Sequence, residues 1–205
     1  PPADISKLTA LDEILDESVE LIVGAVSPAA LTQARAPTRF GGVGLRRITP
    51  LSPIAHFASL AQCIQSLPLC AHLPRDLCLF PLIAHPSLFP FPQVTSLMSS
   101  VLGDGPYPKK IQKSLSLALD TAAFVLLHSS LPADEKARLI SLTQHGSSLW
   151  LHLPKAALED NVWMSPSTAH TALRLRLGLP LGSNHVCTLC RHQNADGLGR
   201  HALSC

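Results

Sequence analysis

Eighteen prolines in 205 residues restrict this chain to short or interrupted helices more than any other feature of its sequence. Proline fixes φ, lacks the N–H that a helix or a sheet uses, and is tolerated mainly in the first turn of a helix. Eight of the eighteen lie in residues 68–108, which are therefore predicted to be a linker of short turns and extended segments. Only 4% of the residues are aromatic, so we expect a core of Leu, Ala, Ile and Val.

Helical periodicity dominates the rest of the chain, because apolar residues recur at three- and four-residue spacing between the prolines. The predicted helices cover residues 6–26, 28–34, 53–66, 75–84, 93–102, 109–129, 132–144 and 165–177. No β-hairpin is predicted. The expected fold is mainly α, with helical segments in residues 1–67 and 109–180, the linker 68–108, and a short C-terminal region, 181–205.

Charge is unevenly distributed, although the net charge is only +2. Residues 1–27 carry six acidic residues and one lysine, whereas residues 28–205 carry a net charge of +7. In the first predicted helix, Ser6 is the expected N-cap, and a run of acidic residues is expected to form a solvent-exposed face. This run consists of Asp12, Glu13, Asp16, Glu17 and Glu20. The basic remainder is compatible with nucleic-acid binding.

Membrane and secretory signals are weak in this sequence. The longest apolar stretch is interrupted by Asp120 and is shorter than the roughly 18 residues that a membrane span needs. The acidic N-terminus lacks the basic-then-apolar order of a signal peptide. Six cysteines are too few for a disulfide scaffold in a chain of this length. We therefore expect an intracellular protein, nuclear or cytoplasmic, without a membrane partner.

Three glycines in four positions, Gly41, Gly42 and Gly44, follow the second predicted helix and exclude a regular helix there. Two interpretations are open. The glycines form a tight turn between helices, or they let backbone N–H groups and nearby guanidinium groups hold a phosphate. The segment lacks the strand–loop–helix context of a nucleotide-binding loop. The arginines around the turn are Arg35, Arg39, Arg46 and Arg47.

The C-terminal region contains a C-x2-C-x10-H-x3-C pattern formed by Cys187, Cys190, His201 and Cys205. Three thiolates and one imidazole complete a closed tetrahedral zinc site, which is structural because no position remains for water. His185 and His192 are alternative ligands. A chance cluster of buried thiols and a redox C-x-x-C pair are the other interpretations. No Ser/His/Asp or paired-carboxylate arrangement is evident, so no catalytic residues are predicted.

Two stretches resemble a known family when they are taken together. Residues 35–46 (RAPTRFGGVGLR) precede an apolar helix at residues 54–60, and residues 172–180 (ALRLRLGLP) precede the Cys/His pattern. Both resemble the region after the polymerase palm in non-LTR (LINE-like) retrotransposon reverse transcriptases, in the branch with a restriction-like endonuclease. The resemblance implies a fragment: thumb-like helices, a linker and a zinc knuckle, with the palm upstream and the nuclease downstream in the parent polypeptide.

That resemblance implies a nucleic-acid-binding function without catalytic residues in this part of the parent enzyme. RNA or DNA, as a primer–template or a target site, is the implied partner. The candidate contacts are basic side chains from the two helical regions, 1–67 and 109–180, and from the C-terminal region, 181–205. They are Arg35, Arg39, Arg46, Arg47, Lys109, Lys110, Lys113, Arg174, Arg176, Arg191 and Arg200. The alternatives are a zinc-stabilised helical protein-interaction module and a free-standing enzyme that uses the Cys/His cluster.

Overall fold

A computed structural model describes most of the chain. The described residues are 4–66, 79, 81–88, 90–101, 110–152, 164–182, 185–186, 190–191, 194–195 and 197–198. Within them the fold is mainly helical, as predicted. The α-helices are α1 (Ile5–Val23), α2 (Pro28–Arg35), α3 (Ile48–Ser66), α4 (Pro92–Ser100), α5 (Ile111–Ser130), α6 (Ala133–Leu142) and α7 (Pro166–Leu177). Short 3-10 helices cover Thr38–Phe40, Pro86–Leu88 and Leu149–His152.

Proline, serine and glycine set several helix boundaries. Proline occupies the first turn of α2, α4 and α7. The Ser27 and Ser165 hydroxyls each accept a hydrogen bond from a backbone N–H in the first turn of the helix that follows. Gly178 ends α7 with a left-handed φ of 69°. Of the predicted helix over 75–84, residues 79 and 81–84 are described; residues 79 and 81–83 are helical, and residue 84 lies in a turn.

Two acidic residues of the N-terminal segment cap helices. Neither role was predicted from the sequence. Asp4, rather than Ser6, caps α1, because the Ser6 N–H donates to Asp4 Oδ1 at 3.0 Å. The hydrogen bonds from Ser6, first from its hydroxyl and then from its N–H, lower the pKa of Asp4. Asp12 is only 6% exposed, so its predicted place on a solvent-exposed face is wrong.

The Asp12 carboxylate sets the start of α3. It accepts hydrogen bonds from the N–H groups of Ile48 at 2.7 Å and Thr49 at 3.2 Å. A carboxylate at a helix N-terminus accepts hydrogen bonds from N–H groups that have no partner within the helix. Its negative charge also interacts favourably with the positive end of the helix dipole. This explains why α3 begins at Ile48, five residues before the predicted start at position 53, and why Pro53 lies inside the helix.

A short antiparallel strand pair near the C-terminus also departs from the prediction. β1 (His185–Val186) pairs with β2 (Asn194–Ala195), with His185 opposite Ala195 and Val186 opposite Asn194. Strands of two residues carry no alternating apolar pattern, which is the signal that predicts a hairpin from sequence.

The chain divides into two compact units, each assembled from two separate stretches of sequence. The first unit comprises residues 1–15 and 46–126, and the second comprises residues 16–45 and 127–205. The four regions predicted from the sequence, 1–67, 68–108, 109–180 and 181–205, are consecutive along the chain. Each of the two units instead combines two stretches that pack together.

Each unit has its own aliphatic core, as the low aromatic content predicts. In the first unit, Phe57 on α3 and Leu115 on α5 are fully buried among side chains that are mostly aliphatic. The buried residues of this core are Ile54, Phe57, Ala58, Ala61, Ile64, Leu79, Leu82, Ile83, Leu88, Val94, Met98, Val101, Ile111, Leu115 and Leu119. Those of the second core are Val19, Val23, Ala30, Ala34, Leu177 and Leu179. No helix in the described part of the chain is long and apolar enough to cross a membrane.

Candidate functional site

The glycine-rich segment after α2 forms a compact turn within the second unit. Residues 38–40 make one 3-10 turn, which Gly41 ends with a left-handed φ of 81°. At Gly42 the requirement for glycine is close approach, because a Cβ there would lie 1.9 Å from the carbonyl oxygen of Ala36 and 2.5 Å from that of Gln33. A side chain at position 42 is therefore incompatible with this turn.

The backbone N–H groups of this turn donate to carbonyls of the same segment. Gly42 donates to Pro37 at 3.2 Å, and Gly44 donates to Ala36 at 3.0 Å. The N–H of Gly41 likewise binds the Thr38 carbonyl at 3.1 Å. A phosphate cradle needs such N–H groups to point toward a ligand. The geometry therefore favours the tight-turn interpretation for these backbone groups.

Arg176 on α7 fills the inner side of the turn and is only 3% exposed. Its Nε donates to the Gly42 carbonyl at 2.9 Å, and its Nη2 donates to the Thr38 carbonyl at 2.9 Å. Its Nη1 donates to the Ser147 carbonyl at 3.1 Å. Burial, followed by the positive charge of Arg138, lowers the pKa of Arg176. The guanidinium is thus held by backbone dipoles rather than by a carboxylate.

Two further side chains complete this polar cluster. Gln33 on α2 donates from Nε2 to the carbonyls of Gly41 at 2.9 Å and Arg176 at 2.8 Å. Arg138 on α6 donates to Gln33 Oε1 at 2.7 Å and also to the Arg176 carbonyl. Glu135 pairs with Arg138, with 2.7 Å between Oε2 and Nε. We call Gln33, Arg138 and Arg176, with the carbonyls that they bind, the Arg176 network.

The Arg176 network joins α2, the glycine turn, α6 and α7. Its side chains are two guanidinium groups and one amide, which donate hydrogen bonds but do not exchange protons near neutral pH. The arrangement therefore fixes backbone positions and does not perform acid–base chemistry. A phosphate contact from Arg176 would require this buried set of hydrogen bonds to break.

Three other predicted contact residues also make structural hydrogen bonds. Arg174, which lies on the opposite side of α7 from Arg176, donates to the carbonyls of Val23 and Pro180. Arg35 pairs with Asp16, with 2.7 Å between Nε and Oδ1. Arg46 pairs with Asp120 on α5 at 2.6 Å, and that aspartate is only 7% exposed.

The remaining described candidates lie on the surface. Arg39 is exposed, and its guanidinium stacks over the Phe40 ring at 5.1 Å from the ring centre. Arg47, Lys110, Lys113 and Arg191 are exposed as well. Lys109 and Arg200 lie outside the described residues. The nine described candidates therefore do not form one basic surface.

Of the predicted zinc ligands, only Cys190 is among the described residues, and it is half-buried. Cys187, His201 and Cys205 lie outside them. No group of three metal-ligating side chains occurs among the described residues. In sequence, Cys187 and Cys190 fall between β1 and β2, which pair antiparallel.

Comparisons with protein-family models, with curated proteins and with solved structures give no match to this chain.

Sequence reasoning missed Gln33 and Arg138. Gln33 lies in a short helix without a distinctive pattern, and Arg138 has Glu135 three positions earlier, which is typical of a solvated helix surface. Their role depends on contacts over 143 and 105 residues, respectively. The only sequence signal is indirect: a buried guanidinium needs acceptors, and a glycine turn supplies exposed carbonyls.

We expect Gly42→Ala to lower the free energy of unfolding by about 3 kcal/mol or more, or to prevent folding, because the new Cβ overlaps backbone carbonyls. Gly182→Ala is the matched control, since no atom lies within 4 Å of the Cβ that it adds. Urea unfolding followed by circular dichroism measures both. Equal stability of the two variants would contradict the described turn.

Proposed function

We propose that this chain is a nucleic-acid-binding region of a non-LTR retrotransposon reverse transcriptase, comprising thumb-like helices and a zinc knuckle. The observation that carries the proposal is a contact between the two stretches that resemble this family, residues 35–46 and 172–180. Arg176 in the second stretch binds Gly42 in the first, across 134 residues of sequence. This contact supports the proposal because it makes the two stretches parts of one buried network.

A thumb holds a primer–template duplex through its phosphates, which requires exposed cations rather than nucleophiles. In the first unit, the Arg46–Asp120 ion pair attaches the segment of Arg46 and Arg47 to α5. The exposed residues Lys110 and Lys113 lie just before and within the first turn of the same helix. The start of α5, at Lys110 and Lys113, is the basic surface that we assign to the nucleic acid, whereas the Arg46–Asp120 pair lies at the middle of the helix.

The backbone at two exposed basic residues supports the assignment. Lys110 and Arg191 have φ values of 66° and 55°, a region that non-glycine residues seldom occupy. Such a conformation costs roughly 1 kcal/mol, and residues held in it often belong to functional sites. Glycine would fit both positions at lower cost, so the charged side chains are consistent with a binding role.

The proposed role contains no chemical step. Exposed lysines and arginines neutralise phosphates and release condensed counterions, so the binding is non-specific in sequence and weakens with salt. Polymerisation and strand cleavage belong to the parts of the proposed parent polypeptide that would lie outside this chain. The partner is RNA, DNA or a hybrid of the two.

We further propose that Cys187, Cys190, His201 and Cys205 hold one structural zinc ion. Three thiolates and an imidazole are the donor set that zinc prefers in closed sites. The antiparallel pairing of β1 with β2 supports the proposal, because it folds the chain back on either side of the C-x-x-C segment. Zinc binding would supply much of the folding free energy of so short a region.

For nucleic acid, we expect Lys110→Gln/Lys113→Gln to weaken binding of a primer–template duplex roughly tenfold at low salt. Removing two phosphate contacts makes the slope of log K against log salt shallower by about two. The control, Lys7→Gln/Lys136→Gln, removes the same charge elsewhere. Arg46 is left intact because its loss would break the ion pair of the buried Asp120 carboxylate. Identical affinities and slopes for both variants, measured by fluorescence anisotropy, would contradict the proposed surface.

For the metal, we expect one zinc ion per chain in reduced protein, measured by elemental analysis. Cobalt substitution should give the visible bands of a tetrahedral thiolate site. Cys190→Ser should release the metal and leave the helical circular dichroism almost unchanged, because the cores of both units are built from helices. Cys63→Ser, which alters an exposed cysteine on α3, is the control. Folded, reduced protein without stoichiometric metal would refute the site.

A further inference from the structure

The outer face of α1 carries an apolar stripe that the fold leaves in solvent. Leu11, Ile14, Leu21 and Ile22 are 46%, 57%, 88% and 54% exposed, respectively. At 3.6 residues per turn, these four side chains and the half-buried Ser18 between them fall within an arc of about 100° and extend over roughly 16 Å of the helix. Exposed apolar surfaces of this kind, rimmed by polar groups, mark interaction sites.

An acidic edge runs beside this apolar stripe. Glu13, Glu17 and Glu20 are exposed and lie on one side of it. The other two acidic residues of this run point inward, because Asp12 caps α3 and Asp16 pairs with Arg35. The outward charge along the middle of α1 is therefore a row of three glutamates.

We propose that this face of α1 binds an amphipathic helix of a partner protein that carries lysines or arginines along one edge. Apolar side chains at every third and fourth position of the partner would cover the stripe, as in other helix-to-helix recognition. Its basic edge would face Glu13, Glu17 and Glu20. This charge complementarity selects the partner's chemistry and its orientation.

A second copy of the chain fits this face poorly. In an antiparallel two-fold pair of α1 helices, equivalent edges face each other, so the glutamate row would meet its own copy. In a parallel pair, the glutamates would face the opposite edge, where Leu15 is half-buried and Val19 is buried. Anionic membrane surfaces are disfavoured as well, because the glutamates would be repelled by the lipid headgroups.

The test uses the full chain, labelled with 15N, and two synthetic 18-residue helical peptides. Both peptides carry leucines at the stripe positions; one has lysines along a single edge, and the other has glutamates there. We expect the lysine peptide to bind in the range of roughly 10–100 μM, as suits a small interface, and to shift the amide signals of α1. The glutamate peptide should bind at least tenfold more weakly.

Variants then locate the binding site. Ile14→Ser/Leu21→Ser should weaken binding of the lysine peptide at least tenfold. Val125→Ser/Leu126→Ser changes two comparably exposed apolar residues on α5 and should leave the affinity unchanged. Glu13→Gln/Glu17→Gln/Glu20→Gln should remove the preference for the lysine peptide. Neither serine variant should alter binding of a primer–template duplex, since this inference is independent of the proposed function.

Several results would overturn the proposal. They are equal affinity for the two peptides, binding of neither, or loss of binding in the α5 variant instead of the α1 variant. A concentration-dependent dimer in analytical ultracentrifugation, abolished by Ile14→Ser/Leu21→Ser, would assign the face to a second copy. Binding to vesicles of anionic phospholipid, abolished by the same variant, would assign it to a membrane surface.

Discussion

The second unit depends on one buried cation and the carbonyls around it. Arg176 binds the carbonyl groups of Thr38, Gly42 and Ser147, and thereby holds α7 against the glycine turn. A buried guanidinium is stable only when its donors are satisfied, and its planar fork suits several acceptors at once. Gln33 and Arg138 add donors to other groups of the network: Gln33 donates to the carbonyls of Gly41 and Arg176, and Arg138 donates to the Arg176 carbonyl and to Gln33 Oε1. Removal of any member would leave buried polar groups without partners.

The candidate arginines that the structure describes fall into two groups with different roles. Arg35, Arg46, Arg174 and Arg176 make ion pairs or bind backbone carbonyls within a unit. Arg39, Arg47 and Arg191 are exposed, as are Lys110 and Lys113. A density of basic residues in sequence therefore overstates the exposed positive charge, and the proposed binding surface rests on Lys110 and Lys113.

The helices were predictable from the sequence because nearby residues determine most of their boundaries. Boundaries that depend on residues far away in the sequence were not predictable. Proline and serine at helix starts, and glycine at the end of α7, set boundaries that act over three or four residues. The start of α3 depends instead on Asp12, which is 36 positions away. An aspartate beside Glu13 on an amphipathic helix gives no sign that its carboxylate is buried, so the sequence pattern favoured a solvated face.

The candidate site was predictable in its parts and not in its arrangement. The glycine turn and the α7 arginines stand out in the sequence, and the opposite placement of Arg174 and Arg176 follows from helical geometry. That Arg176 fills the glycine turn depends on a contact over 134 residues and on Gln33 and Arg138, which have no distinctive pattern.

The most direct test of whether Arg176 holds the glycine turn is the free energy of unfolding of the Arg176→Lys variant. Lysine keeps the charge but cannot reach three carbonyls in one plane, so we expect a loss of about 2–4 kcal/mol in the free energy of unfolding. Hydrogen exchange at the Gly42 and Gly44 amides should also accelerate relative to amides of the first unit. Arg47→Lys, at an exposed position, should change stability by less than about 0.5 kcal/mol. If Arg176→Lys is as stable as Arg47→Lys, with the turn amides equally protected, the network does not hold the turn.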